Sequence, residues 1–451
     1  MIKFKQLWNN LRSSLWFLPS LIVASSMALA TALIEVDVSV SDKLLAKWPR
    51  LFGAGAEGAR GMLSTIAASM MSVVGVTFSM TLVALALASS QFSSRILRTF
   101  MSSRVTQGVL GIFAGIFTYC LIVLRTIRGG DEVTFIPSVA VLFGVVLAIG
   151  GVGVLIFFIH HIASSIQASN IICAVAQETI ETIDRLFPER LGHGPAENDD
   201  EPAPQLPPGQ KWRAISAKES AYIQSVDNEA LLRIARENKT VVRMEHGVGQ
   251  FVIKDTPLVS LAVEGVPDQR VIRALRSAFA LSRYRTVHQD AGFGIRQIVD
   301  VALKALSPGI NDTTTAIICV EYLTAILAPL AVVRIPSNYR HEEGKLRVIA
   351  VGPSFEGLLA ESFDQIQSSS KGNLTVMLRM LNGLETVAGL TANPRHRRAL
   401  GEQADQIAEL AERTIDATHE RATFATRLKI TRAAITAALI FPGEETVGTP
   451  L

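Results

Sequence analysis

The sequence predicts a membrane α-helical module joined to a water-exposed α+β domain. Three observations lead there. Four long apolar runs fall within the first 165 residues, near 15–34, 62–88, 109–124 and 137–159. Roughly 290 residues of ordinary charged sequence follow them. Within that second part, alternating segments come first and helical periodicity takes over later. A hydrocarbon core about 30 Å thick needs roughly 20 apolar residues in a helix, and every backbone group in lipid must be bonded internally. The four runs therefore read as four spans. A hydrophobic fraction of 49% with only 18% charge fits this division, because the apolar excess sits in the first third. A net charge of +3 is too small to indicate nucleic-acid binding.

Orientation follows from the basic residues. Residues 1–14 carry Lys3, Lys5 and Arg12 without an acid, and the segment between spans two and three carries Arg95, Arg98 and Arg104 without an acid. The 35–61 loop mixes Glu35, Asp37, Asp42 and Glu57 with Lys43, Lys47, Arg50 and Arg60. The positive-inside rule then puts the N-terminus and the 90–108 loop in the cytoplasm, and four spans return the C-terminal domain there. Ala28, Ala30 and Ala32 also resemble a signal-peptide cleavage site. The apolar stretch is long for that, so a retained anchor is expected.

The second run is rich in hydroxyls. Thr65, Ser69, Ser72, Val76, Ser79, Val83, Ala86 and Ser90 recur at spacings of three and four, forming one stripe of small residues. Such a stripe allows close helix packing in lipid. In an oligomer it can instead line a narrow wet path, and Thr65, Ser69, Ser72, Val76, Ser79 and Val83 are the candidate pore-lining residues. Arg125 and Arg128 end the third span, ahead of Asp131 and Glu132. At an outer face they run against the charge trend. They are expected to pair with those acids or to form a cationic ring at an outer mouth.

The fourth span ends at His160 and His161, interface residues that also have the pH range of a sensor. It leads into an amphipathic stretch over 160–187, with Ile162, Ile166, Ile172, Val175, Ile180, Ile183 and Phe187 on one face. The expectation is one continuous helix leaving the membrane as a stalk, stopped by Pro188. Residues 188–211 hold six prolines among Gly, Asp and Glu and read as a linker. A small barrel-like β unit is expected over 212–265, from the alternation in Ala221–Val226, Thr240–Glu245, Gln250–Ile253 and Leu258–Val263, with a short helix at Asn228–Arg236. The layout resembles the barrel-sandwich of biotinyl and lipoyl carrier domains, without their modified lysine. Residues 266–441 read as mainly helical: Pro267–Thr286, Gly294–Leu306, Thr314–Leu327, Phe355–Ser369, Leu374–Leu390 and Pro394–Arg432, with a strand at Lys345–Val351 rejoining the β unit. Residues 442–451 read as a tail.

The densest segment runs from Asp290 to Asp300 and on through Ser307-Pro308-Gly309-Ile310-Asn311-Asp312. Capping and turn chemistry account for most of it, with Asn311-Asp312 or Thr313 opening the next helix. Asp290, Asp300 and Asp312 are also the oxygen ligands available for a hard cation or another cytosolic ligand. Cys120, Cys173 and Cys319 make neither a CxxC nor a Cys/His spacing, so no disulfide framework or zinc site is indicated. His288 lies near Asp290 without a nucleophile to complete a triad. No HExxH, GxSxG, P-loop or dinucleotide fingerprint occurs, so neither catalysis nor a cofactor is expected.

This segment, together with Gln91-Phe-Ser-Ser-Arg-Ile-Leu-Arg98 and Tyr119–Arg128, resembles a bacterial family of predicted membrane proteins, the domain of unknown function twenty-two fifty-four. The resemblance covers nearly the whole chain. Thr313 stands where the family pattern has proline after Asn-Asp, and Ser94 replaces the proline of Phe-Ser-Pro-Arg. The resemblance implies a multi-pass protein of a bacterial inner membrane and lends no biochemical activity. A homo-oligomeric channel or pore-type protein with a regulatory cytosolic domain is the leading expectation. A membrane-anchored scaffold or sensor, binding a cytosolic ligand or partner, is the alternative. A transporter comes last, because the spans read as free of charge.

Overall fold

A computed structural model describes residues 16–47, 55–91, 104–128, 135–165, 167–187 and 210–437, without the side chains of 39–47 and 88–91. The basic N-terminal segment, Ser94 and its motif, Asp131, Glu132, residues 188–209 of the linker and the tail lie outside the described residues. The chain divides into two compact units, Met1–Asn170 and Ile171–Leu451.

Among the described residues the first unit holds four helices: α1 (Phe17–Lys47), α2 (Ala56–Gln91), α3 (Arg104–Thr126) and α4 (Ser138–Ser165). α3 is central and packs on α1, α2 and α4. Tyr119 and Phe113 of α3, Phe158 of α4 and Leu63 of α2 are the largest fully buried side chains of this unit. The closest helix approach uses Gly111 and Gly115 of α3. A Cβ at Gly111 would meet Ile22 at 2.7 Å and the Pro19 backbone at 2.9 Å, and one at Gly115 would meet the Ser26 hydroxyl. This is a small-xxx-small seam, which lets two backbones approach in lipid. The Gly111–Gly115 GxxxG of α3 thus sets the close packing of α3 on α1.

Two expectations change at the ends of these helices. α1 continues past the apolar run to Lys47, so Asp37 is a helical residue and not a loop residue. The expected stalk is not one helix. α4 stops at Ser165 and α5 (Ala168–Leu186) begins after a turn at Gln167. There the Asn170 side-chain amide donates to the Ser164 carbonyl at 2.7 Å, and the Asn170 N–H donates to the Gln167 carbonyl. A side chain that bonds backbone locally competes with the helical ladder, which explains the interruption.

The second unit opens within α5, whose Ile172, Val175 and Ile183 are buried as its periodicity required, as is Phe187 just past its end. A β part follows: β1 (Lys211–Ser216), β2 (Ala221–Val226), α6 (Asn228–Glu237), β3 (Val242–Met244), β4 (Phe251–Val252), β5 (Pro257–Val263), α7 (Gln269–Ser277) and β6 (Phe279–Ser282). The helical part is α8 (Ala291–Ala305), α9 (Thr313–Val332), α10 (Phe355–Ser369), α11 (Leu374–Ala388), α12 (Pro394–Thr414) and α13 (Thr418–Thr436), interrupted by β7 (Tyr339–Glu342) and β8 (Lys345–Ile349).

The β part is not a closed barrel. One sheet has the order β1-β5-β3-β8-β7 and a second has β4-β2-β6. Both keep open edges. Ile223, Leu231, Val242, Leu258, Val259, Leu275 and Val348 share one apolar core. β8 does rejoin the sheet, running parallel to β3 with Val242 opposite Val348. Its hairpin partner β7 was not legible as a strand. Glu343 and Gly344 have φ of 52° and 70°, the two left-handed residues of a tight hairpin turn. The helix expected over Pro267–Thr286 ends at Ser277, and the chain turns into β6 to pair with β2. The helix expected over Pro394–Arg432 breaks at 415–417, where Ile415 is extended.

By length and composition a fifth helix is also apolar enough to cross a membrane, Thr313–Val332. It is α9, apolar on nearly all sides because it is enclosed by α8, α10 and α11. Ala316, Cys319, Val320, Leu323 and Ile326 are buried, and Glu321 pairs with Arg379 of α11 at 3.1 Å.

Candidate functional site

On α2 the stripe faces outward. Leu63, Ala67, Met70, Thr77 and Ala84 are buried in the bundle, whereas Thr65, Ser69, Ser72, Val76, Ser79 and Val83 are all exposed. The hydroxyls of Thr65, Ser69 and Ser72 donate to the carbonyls of Gly61, Thr65 and Ala68, at 2.7–3.0 Å. Each donor is thereby satisfied, and each oxygen keeps acceptor capacity for a second partner. Ala86 belongs to the same outward face, and the side chain of Ser90 is outside the described residues.

Arg125 and Arg128 are exposed at the end of α3. Arg128 exchanges both backbone hydrogen bonds with Phe135 at 3.1 Å. The side chains that organise this end are two others. Arg60 of α2 donates to the Ile127 carbonyl at 2.8 Å, a cation at the C-terminus of α3. Asp37 of α1 is fully buried and accepts from the backbone N–H groups of Val139 and Ala140, both at 2.9 Å. Its carboxylate thus caps α4 from another helix. The Tyr119 hydroxyl donates to the Ala140 carbonyl at 2.8 Å. An acid and a base just outside apolar runs were the available sequence signal.

The carboxylates of the signature segment do not converge. Asp290 takes Arg285 bidentately, at 2.8 and 3.0 Å, and caps α8 by accepting from the Phe293 N–H at 3.0 Å. Asp300 pairs with Arg296 one turn away at 3.1 Å. Asp312 caps α9, accepting from the Thr315 N–H at 3.0 Å and from the Thr315 hydroxyl at 2.6 Å. Those bonds to Thr315 hold the Asp312 carboxyl below the usual carboxylate range. Asn311 adopts the left-handed region with φ 49° and ends the Ser-Pro-Gly turn. Among the described residues no group of three or more His, Cys, Asp or Glu side chains is arranged to hold a metal. The cation grouping of Asp290, Asp300 and Asp312 is therefore replaced by three separate structural roles.

The glycines of the segment have spatial reasons. Gly249, with φ +84°, lies so close that a Cβ would overlap the Asp290 carboxylate. Gly294 leaves room for Thr179 of α5, whose hydroxyl a Cβ would overlap. Arg185 of α5 donates to the His288 carbonyl at 2.6 Å, and the Gln289 side chain accepts from the Val226 N–H at 3.0 Å. Burial, with Arg185 nearby, keeps His288 below its ordinary value, so its ring is uncharged at neutral pH. The segment is a junction where α5, β2, the Gly249 loop and α8 meet.

The pattern that defines the family described as "Predicted membrane protein (DUF2254)" matches residues 12–386. The chain belongs to this family. Among similar proteins is the "Uncharacterized protein Rv1290c" of Mycobacterium tuberculosis, 33% identical over 431 residues, covering 93% of this chain and 80% of the relative. The "Uncharacterized protein Mb1321c" of Mycobacterium bovis matches with the same identity and coverage. No solved structure matches the chain. In this DUF2254 protein both ends of the junction segment, Asp290 and Asp312, lie inside the family's span.

Proposed function

We propose that this DUF2254 protein crosses a bacterial inner membrane four times through α1–α4, with its N-terminus and second unit in the cytoplasm. It assembles as a homo-oligomer in which α2 lines a path for small ions, and the second unit regulates that path. It has no catalytic role. The observation that carries this reading is the outward stripe: Thr65, Ser69, Ser72, Val76, Ser79 and Val83 all point away from the helices of their own chain. Hydroxyl oxygens with spare acceptor capacity gain nothing from lipid tails. Facing other copies, they replace part of an ion's hydration, while Val76 and Val83 form a constriction that gates by dewetting. At 36 residues α2 is about 54 Å long, which overshoots the bilayer and lets it project toward a cytoplasmic body.

Val76→Ser should raise leak conductance in a reconstituted bilayer. Val74→Ser should not, because Val74 sits roughly 160° around the helix and packs against the bundle core. If no variant conducts and Ser69→Leu shrinks the particle to a monomer, the stripe is a packing seam. The chain is then a membrane-anchored scaffold or sensor. Labelling of Ser41→Cys from outside and Ser102→Cys from inside checks the orientation, and the reverse pattern overturns it.

A further inference from the structure

The helix α7 has one apolar and one cationic face. Leu275 is buried in the β core, and Val271 and Ile272 pack against it half-buried. Arg270, Arg273 and Arg276 fall on the opposite side, within an arc of roughly 120° at 3.6 residues per turn. Gln269 and Ser277 share that arc, and no acidic residue occurs in the helix. Strand β1 extends the cationic face. Lys211 and Arg213 are in step with Ile215, so all three point to one side of the sheet. Ile215 is buried in the same core as Leu275, which identifies that side as the one α7 packs against. β1 lies at the edge of its sheet, and Lys211 and Arg213 are both exposed. The Arg276 Nε donates to the Ser216 carbonyl at 3.0 Å, tying the end of α7 to the end of β1.

Five cations thus share one surface. Among the described residues, Arg273 and Arg276 bond only backbone carbonyls, and no ion pair engages Lys211, Arg213 or Arg270. Two acids lie beside them: Glu264, and Asp268, which caps α7 by accepting from the Arg270 N–H at 2.9 Å. The surface therefore keeps three net positive charges. The neighbouring helix α6 neither adds to nor cancels this excess, because Glu229 and Glu237 balance Arg233 and Lys239, and Arg236 pairs with Glu342 at 3.1 Å. Just ahead of α7, between Gly265 and Pro267, Val266 is 88% exposed. An apolar side chain is thus held out at one end of a cationic face.

We infer that this surface, made of α7, the edge of β1 and the 264–267 segment, binds the headgroups of anionic phospholipid, with Val266 entering the boundary between headgroups and acyl chains. Clusters of about four to eight Lys or Arg side chains are what an anionic membrane surface attracts, each worth about fivefold in binding. Guanidinium forks also match phosphate oxygens bidentately. The apolar face of α7 is committed to the β core, so the attachment is electrostatic and reversible, with one apolar contact at Val266. The chain is a membrane protein, so phospholipid is the anionic partner it always meets. The inference is independent of whether α2 lines a path.

The test places the full-length protein in phosphatidylcholine nanodiscs and floats them with vesicles. The vesicles are phosphatidylcholine alone, or contain phosphatidylglycerol as about one lipid in three. The discs should float only with the anionic vesicles, and raising salt from about 0.1 to 0.5 M should release them. Arg270→Gln combined with Arg273→Gln should weaken the binding about 25-fold, and so should Lys211→Gln combined with Arg213→Gln. Val266→Asp should weaken it about fivefold or more. Arg398→Gln, exposed on α12 away from this surface, should leave it unchanged. All these side chains but Val266 are exposed and charged, so the variants should melt with the wild type, which separates lost binding from lost folding. Equal flotation with both vesicles, flotation undiminished in both double variants, or no flotation at all overturns the inference. Retention of a DNA duplex or of polyglutamate without flotation also overturns it, by assigning the surface to another partner.

Discussion

Asp37→Ala should destabilise the membrane unit strongly. The carboxylate is fully buried and bonds two N–H groups in the first turn of α4, each at 2.9 Å. Removing an acceptor from a buried donor costs about 1–3 kcal/mol per group. The Ala140 N–H is buried and the Val139 N–H only partly, so the second donor recovers some solvation. The loss should therefore be about 3 kcal/mol, in the lower half of the two-bond range. For a unit of this size each kcal/mol moves the melting temperature about 2–4 °C, so a fall of roughly 6–12 °C is expected. Asp37→Asn keeps one acceptor oxygen and should lose about half as much. Arg60→Gln removes one bond, to the Ile127 carbonyl, and should match the Asn variant. Heating the detergent-solubilised chain and measuring the surviving monodisperse fraction by size exclusion gives the three values. If Asp37→Ala melts within a degree of wild type, the cross-helix cap does not hold α4.

Gly294→Ala should destabilise the second unit by about 1–3 kcal/mol, because the new methyl overlaps Thr179 of α5. Thr179→Ala in the same chain should recover part of that loss. Equal melting of Gly294→Ala and wild type would remove the close contact between α5 and α8. Asp312→Ala should cost about 1 kcal/mol at pH 7, the usual worth of a helix cap. Because the folded-state carboxyl is depressed, that contribution is full above the unfolded value near 3.9 and is lost as pH falls through the lower folded one. The wild-type and Asp312→Ala melting curves should thus converge on acidification below about pH 4. A gap that persists there points to a role other than capping by the ionised group.

How legible each feature was depended on how local its cause is. The four apolar helices, the buried face of α5 and the cap at Asp312 follow from periodicity and from side chains bonding their own backbone a few residues on, whereas the helix expected from Gly294 begins at Ala291 under a cap by Asp290. That the stripe on α2 shares one face follows from spacing alone, since three- and four-residue steps place Ser69, Ser72 and Ser79 together in any helix; that this face points away from the bundle was decided by packing. Where causes were distant, the reading stopped short. Nothing near Tyr339 marks it as a strand, because β7 exists only by pairing with β8. The helix beginning at Gln269 ends early because β2 offers Phe279 a sheet partner. α9 has the composition of a membrane span, and only its neighbours α8, α10 and α11 account for its apolar surface.

The charges divide in the same way. Composition and the basic, acid-free segments determined that this is a membrane protein with a large charged domain. They also determined a family resemblance carried by Asp290 to Asp312. Only the tertiary structure decided what those carboxylates do. Asp290, Asp300 and Asp312 have separate partners, and Asp37 joins α1 to the start of α4. The physical reason is one of range. A hydrogen bond or a hydrophobic face within a turn is written in neighbouring residues. A carboxylate's partner 100 residues away is chosen by packing, which no short window of sequence contains.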